Sequence, residues 1–260
     1  MAGNRLRQLL RSRETTYGMW VTVDSPSVSE IAVLLHLDWI CVDTEHGHLG
    51  WAEVLEHVRA VRDSDTTVLV RVPATREDTV KRALDIGAHG VLLPLVRNRE
   101  DVEAGMRFGR YPPAGRRGIG GERAVQWGLG LQEYLQRANT ETMIIPLIET
   151  REAAEDIDGI LGVPGLEAVF FGPADLSASM GFTGAWEGPG VADLILEIRK
   201  KAEQCGVASG IVGTDLVDAR RRRDQGFGLV GLGSDVGLMI RSLQDSLTAL
   251  GRKTAPHLWF

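Results

Sequence analysis

The sequence is poor in cysteine, in basic charge and in long apolar runs. Only Cys41 and Cys205 occur among 260 residues, with no CxxC pair. A disulfide framework is therefore excluded, which fits a reducing cytoplasm. Lys and Arg number 29 against 35 Asp and Glu, a formal charge of −6. That disfavours a nucleic-acid binder, whose surface needs a basic face. No stretch is apolar for as long as a bilayer requires, so no membrane span is expected. The first residues carry Arg5, Arg7, Arg11 and Arg13 without an apolar segment and do not read as a secretory signal. Of the two remaining readings, an Arg-rich transit peptide and a short helix over 4–13 capping a domain, the helix is adopted.

What is present describes a globular chain. Hydrophobic residues make up 43 % and charged residues 25 %, too much apolar content for disorder. Glycine is in excess, 31 of 260 residues, against the usual ~7 %; such a chain has many tight turns or backbone held close to a ligand. Eight short apolar runs recur, at 17–23, 39–43, 68–72, 91–96, 143–148, 168–171, 207–212 and 229–232. They do not alternate with polar residues, as expected of parallel strands buried on both faces. Amphipathic stretches of helical length separate them. Eight strand–helix steps predict a single (β/α)8 TIM barrel over 1–260, ending in a tail at 251–260. An open doubly wound sheet would carry a phosphate fingerprint after its first strand, and none follows Val23. Gly226-Phe-Gly228-Leu-Val-Gly231 matches GxGxxG by letter, yet it runs into a strand instead of opening a helix. The run Arg220–Arg223 reads as a solvated helix C-terminus, where cations oppose the helix dipole. A long irregular excursion, 110–130, reads as a functional βα loop.

In such a barrel the chemistry lies at the C-terminal ends of the strands. Those ends offer Asp43-Thr-Glu45-His46-Gly-His48, Arg71, Glu149 and Gly172-Pro-Ala-Asp175. Adjacent strands, about 4.8 Å apart, bring Glu149 and Asp175 to one rim, where two carboxylates repel unless something positive sits between them. A divalent ion such as Mg²⁺ or Mn²⁺ suits two oxygen ligands with open positions; a salt bridge to a nearby Arg or Lys is the plainer alternative. Gly172 and Ala174 precede a helical turn whose free N–H groups favour a carboxylate or phosphate, with Asp175 as the competing N-cap. Arg71, in an apolar neighbourhood, needs an anion, either a substrate oxyanion or a partner such as Glu45 or Glu149. His46 beside acids is a usable acid/base near neutral pH or a structural histidine. Zinc on His46 and His48 lacks a third ligand at a fitting spacing. No lysine stands at these strand ends, which argues against a Schiff-base mechanism.

Together these segments, with Val70-Arg71-Val72-Pro73, Arg110-Tyr-Pro-Pro-Ala-Gly-Arg-Arg-Gly118 and Ile148-Glu149-Thr150, resemble the HpcH/HpaI aldolases, in the family's order and along nearly the whole chain. The resemblance implies a barrel of the phosphoenolpyruvate/pyruvate type whose eighth helix is swapped between protomers, in a hexamer built as a trimer of dimers. It implies a cytoplasmic class II lyase of aromatic or sugar acid catabolism. Such an enzyme reversibly cleaves a 4-hydroxy-2-oxo acid into pyruvate and an aldehyde through a pyruvate enolate, with Mg²⁺, Mn²⁺ or Co²⁺. The matching positions are Glu149 and Asp175 for the metal, Arg71 for the enolate oxygen, and His46 with Asp43 for an acid/base dyad. Gly172 and Ala174 match the holders of the pyruvate carboxylate. Val212 matches a position that shapes aldehyde preference, and Asp85 an acid reaching a neighbouring subunit's site. Leu147 stands where leading members carry glutamine, a departure that lends support to an alternative: a biosynthetic condensing enzyme of the citrate-forming siderophore type.

Overall fold

In a computed structural model, which describes residues 3–255, eight parallel strands close into a barrel in sequential order, β8 pairing with β1. The strands are β1 Thr16–Val21, β2 Trp39–Asp43, β3 Thr67–Arg71, β4 Gly90–Leu93, β5 Met143–Ile148, β6 Ala168–Phe171, β7 Ala208–Val212 and β8 Leu229–Ser234. All eight expected runs are strands. Between them lie α2 Pro26–Leu34, α3 Trp51–Ala60, α4 Glu77–Ile86, α5 Arg99–Gly109, α6 Leu131–Glu141, α7 Arg151–Glu155, α8 Ile157–Leu161, α9 Pro173–Ser179, α10 Val191–Gln204 and α11 Leu216–Asp224; α12 Asp235–Ala249 follows the last strand. The stretch read as one helix over 151–161 is two. It breaks at Asp156, whose carboxylate instead accepts the Arg99 N–H at 2.7 Å. Among the described residues no helix is long and apolar enough to cross a membrane.

Strand alternation sorts the apolar residues into two cores. Ile40, Val42, Val68, Val70, Val91 and Val230 point outward to the helices. Trp20, Trp39, Cys41, Leu69, Leu147, Phe170 and Val212 fill the barrel. The same parity continues upward: two residues past Cys41 comes Asp43, past Leu69 comes Arg71, and past Leu147 comes Glu149. The inward face of three strands thus ends in charge at the mouth, and this alternation positions Asp43, Arg71 and Glu149.

The opposite end is closed by α1, Arg5–Arg11. Asn4 caps it by accepting the Arg7 N–H, and its Nδ2 donates to the carbonyls of His89 (3.2 Å) and Glu141 (3.0 Å). Leu6, fully buried, enters the inner core, and Arg7 and Arg11 both pair with Glu167. The expected N-terminal helix is therefore the barrel's floor.

The 110–130 excursion lies elsewhere than expected. It follows α5, which runs back from the mouth, and leads through α6 into the start of β5, so it lies on the N-terminal face; α6 ends at the floor too, where the Glu141 carbonyl accepts from Asn4. There Arg117, 1 % exposed, sits against the rings of Tyr111 and Tyr134 and donates to Asp85 at 2.7 Å, while Arg123 donates to the Ile86 carbonyl. Of the tail read at 251–260, residues 256–260 lie outside the described residues. Truncating the floor, Leu6→Ala, should cost about 2–5 kcal/mol of stability, as large-to-small changes in closed cores do. Urea unfolding checks this, and an unchanged midpoint would remove Leu6 from the core account.

Candidate active site

Asp43 and Arg71 are register partners in the β2–β3 ladder. The guanidinium grips the carboxylate with two parallel bonds, Nε to Oδ1 at 2.8 Å and Nη2 to Oδ2 at 2.5 Å, the fork geometry that makes arginine pairs directional. Its third nitrogen reaches Glu45 at 3.1 Å. Below, the guanidinium lies over the Trp20 ring, 4.6 Å from the centroid. Burial works against the cation, but Asp43 and then Glu45 hold its pKa above the ordinary arginine value. Asp43 Oδ1 also accepts the backbone N–H groups of Glu45 and His46, at 3.0 and 3.4 Å. This winds the loop after β2 tightly enough that a Cβ on Gly47 would lie 2.3 Å from the Asp43 carbonyl oxygen.

That winding changes the expected dyad. Asp43 is committed to Arg71, and the nearest carboxylate to the His46 imidazole is Glu45, at 3.9 Å, with the imidazole 67 % exposed at the mouth. Of the structural partners open to Arg71 in the sequence, Glu45 is engaged and Glu149 is not, and Asp43 takes the stronger, two-pronged contact.

Glu149, 3 % exposed, accepts the Leu95 N–H at 2.6 Å through Oε1. Leu95 provides that amide from a left-handed backbone, φ 52°, unusual for a side chain of its size. The other oxygen, Oε2, faces Gly172, where a Cβ would come within 2.6 Å of it. Only glycine admits the chain beside this carboxylate. Burial, then the charges of Glu45 and Asp175, push the Glu149 pKa up to about 7, against the pull of the Leu95 amide and Arg71. Glu45 is raised for the same reasons, burial first, with Asp43 and Asp175 adding repulsion. Asp175 lies in the first turn of α9, whose N-cap is Gly172, so the acid is not the cap. Among the described residues, no ion pair reaches Glu149 or Asp175. The salt-bridge alternative is thereby set aside.

This donor set fits a divalent ion: two carboxylates with free oxygens, mutually repelling and without a protein cation. No cluster of three or more His, Cys, Asp or Glu able to hold a metal occurs among the described residues, so an ion held by Glu149 and Asp175 would not be caged by protein ligands. That suits an oxygen-loving ion which keeps water or substrate in its remaining positions.

The other expected residues divide. The Gly172 N–H is taken by the Ile148 carbonyl at 3.3 Å, which leaves the first-turn amides of Ala174 and Asp175 without an intrahelical carbonyl. Val212, 3 % exposed, is in the inner wall. Asp85 is not at this mouth: it sits near the end of α4, toward the floor of the barrel, bound to Arg117. Leu147 is in the inner core directly below Glu149. The arginine run is partly misread by its sequence. Arg222 is 1 % exposed and bonds Glu187 at 2.7 Å and Asp218 at 3.2 Å, because α11 turns that side against the loop after α9. Trp20 and Leu95 escaped sequence reading. Trp20 looks like core until Arg71 is seen above it, and Leu95 acts through its backbone.

A profile of the HpcH/HpaI aldolase/citrate lyase family matches residues 16–242. The hydroxypyruvate/pyruvate aldolase of Pseudomonas aeruginosa is 34 % identical over 93 % of this chain and 91 % of its own length. The 4-hydroxy-2-oxovalerate aldolase of Novosphingobium aromaticivorans is also 34 % identical, over 94 % and 93 %. The crystal structure of a family protein from Burkholderia cenocepacia superposes with a TM-score of 0.89 at 33 % identity, covering 96 % of this chain and all of that one. The citrate synthase SbnG stands further off, at 28 % identity and a TM-score of 0.84 over 95 % of this chain and 97 % of that one.

With its Glu149 carboxyl raised, the cation-free protein should lose stability as pH rises from about 4.5, where the unfolded group ionises, to about 7, where the folded one does. Glu149→Gln should flatten the loss in that window. Denaturation midpoints that fall equally in both proteins would show that Glu149 does not carry it. The chain belongs to the HpcH/HpaI aldolase/citrate lyase family.

Proposed function

We propose that this chain is a carbon–carbon lyase that reversibly cleaves a 4-hydroxy-2-oxo acid into pyruvate and an aldehyde. The observation that carries the reading is the mouth's charge: Glu45, Glu149 and Asp175 repel one another, and Arg71 faces Glu45 and Glu149 with positive charge. Glu149 and Asp175 would hold Mg²⁺, Mn²⁺ or Co²⁺, which when bound supplies an electron sink for a carbanion beside a carbonyl.

The chain's own groups do the rest. The bond between C3 and C4 of the substrate breaks and its electron pair stays on C3 as the enolate of pyruvate. C4 and its oxygen leave as the aldehyde. His46, exposed at the rim beside Glu45, takes the proton of the 4-hydroxyl, and a proton delivered to C3 of the enolate from solvent completes pyruvate; condensation runs the same transfers in reverse. Arg71, fixed by Asp43 and backed by Trp20, presents positive charge where the enolate oxygen develops. The amides after Gly172, Ala174 foremost, receive the substrate carboxylate. Val212 and Leu147 form an apolar wall.

Asp85, far from its own mouth, serves the site of a neighbouring copy. A hexamer built as a trimer of dimers supports that role, with α12 exchanged between protomers. The apolar surface left by Ile31 and Leu34 on α2, by Leu35 just after it, and by Met239 and Leu243 on α12 supports the assembly. We place the enzyme in the cytoplasm and treat 1–260 as one barrel domain. Leu147 leaves no hydrogen-bonding side chain beneath Glu149, which favours as second reading a condensing activity on oxaloacetate and an acyl donor.

Pyruvate release from 4-hydroxy-2-oxo acids should cease in EDTA and return with Mn²⁺ or Mg²⁺. Full activity in EDTA, or borohydride trapping of pyruvate on the protein, would overturn the reading. Arg71→Ala should lower kcat by roughly 10²–10³-fold, the loss expected for one oxyanion donor; an unchanged rate would return Arg71 to a purely structural role.

A further inference from the structure

The loop between α9 and α10 is fastened more firmly than a connector needs. Ser177, fully buried on the helix that carries Asp175, donates its hydroxyl hydrogen to the Trp186 carbonyl at 3.2 Å and accepts the Gly188 N–H at 2.9 Å. The next residue, Glu187, is clamped from the other side by Arg222, at 2.7 Å, with Arg221 at 3.6 Å. Arg222 is 1 % exposed and is held in turn by Asp218. Breaking such a buried pair from one side is costly, so the backbone from the Trp186 carbonyl to Gly188 is fixed.

What the fastening holds is an indole. Trp186 is half-buried and packs against the inner barrel core, the cluster that contains Trp20, Leu147, Phe170 and Val212. Its loop follows the short α9, which begins at the C-terminal end of β6, and leads into α10, which must begin on that same side to descend to β7. Trp186 therefore reaches the inner core from the mouth. The polar groups of the mouth, Arg71, Glu149, Asp175 and the α9 amides, are matched to the 2-oxo acid end of a substrate. An indole offers that end no charge. It meets the remainder, the carbon chain beyond C4.

We propose that Trp186 walls the aldehyde side of the mouth and limits the accepted aldehyde to short chains, with Glu187 and Arg222 as the positioning residues that hold it there. This rests on the aldolase reading above. A buried arginine inside a run of surface arginines, with its partner next to the tryptophan, is the arrangement this role requires.

The test uses the full-length, Mn²⁺-loaded enzyme and two readouts. Exchange of the pyruvate C3 hydrogens with deuterium reports enolate formation without any aldehyde. kcat/KM with pyruvate and aldehydes of two to six carbons, acetaldehyde to hexanal, reports the pocket. In Trp186→Ala, exchange should persist while the hexanal-to-acetaldehyde ratio of kcat/KM rises about 10-fold or more, the scale of a few methylenes in an apolar pocket. Trp186→Phe should rise less. Exchange retained with an unchanged ratio overturns the proposal and leaves the aldolase reading standing. Absence of exchange in the wild-type enzyme overturns the aldolase reading instead. Positioning has its own readout, independent of turnover. Acrylamide quenching of the Trp186 fluorescence, taken as wild type minus Trp186→Phe, should increase in Glu187→Gln, whose aldehyde ratio should move the same way as in Trp186→Ala. Quenching and ratio both unchanged in Glu187→Gln would exclude Glu187 and Arg222 from the role.

Discussion

The rest of the site depends on a shortage of positive charge. Four carboxylates, Asp43, Glu45, Glu149 and Asp175, converge on one barrel mouth, and Arg71 is already taken up by two of them. Of the other two, Asp175 is exposed but Glu149 is buried, and a buried ionised carboxylate without compensation is costly, so it takes up a proton or acquires a cation. Glu149 shows the first response, its pKa pushed up to about 7. A divalent ion on Glu149 and Asp175 would provide the second. The raised carboxyl and the proposed cofactor are thus two answers to one electrostatic problem.

Rigidity around that problem is distributed with purpose. Asp43 and Arg71 are adjacent in register, so the ladder itself sets their fork, and the same Asp43 oxygen ties down the loop that bears Glu45 and His46. Leu95 accepts an unfavourable backbone to give Glu149 an amide. The apolar floor of Trp20, Leu147 and Val212 keeps the mouth's dielectric low, which strengthens every charge interaction above it. Preorganised charge of this kind needs no rearrangement as the enolate forms.

Much of this was legible in the sequence because barrels convert order into position. The runs at 39–43, 143–148 and 168–171 coincide with β2, β5 and β6, and strand parity then sends Asp43, Arg71 and Glu149 inward. What escaped did so for physical reasons. The 110–130 excursion was read as a βα loop from its length and Asp85 was placed by resemblance, and neither length nor motif says which end of a barrel a segment serves; the direction of α4 and α5 does. Arg222 is indistinguishable in sequence from Arg220, since the side of α11 that faces Glu187 is set by tertiary packing. Leu95 contributes an N–H, which every residue but proline has, and Trp20 has the composition of core.

The most direct measurement is calorimetric titration of Mn²⁺ into the metal-free protein at pH 6 and pH 8, in two buffers of different ionisation enthalpy. If the unpaired charge of Glu149 and Asp175 is what the mouth is built around, one ion binds per chain. It binds more tightly at pH 8, and it releases protons at pH 6, where Glu149 must ionise to receive it. Absence of binding, or an affinity that is the same at both pH values with no proton released, would contradict the account.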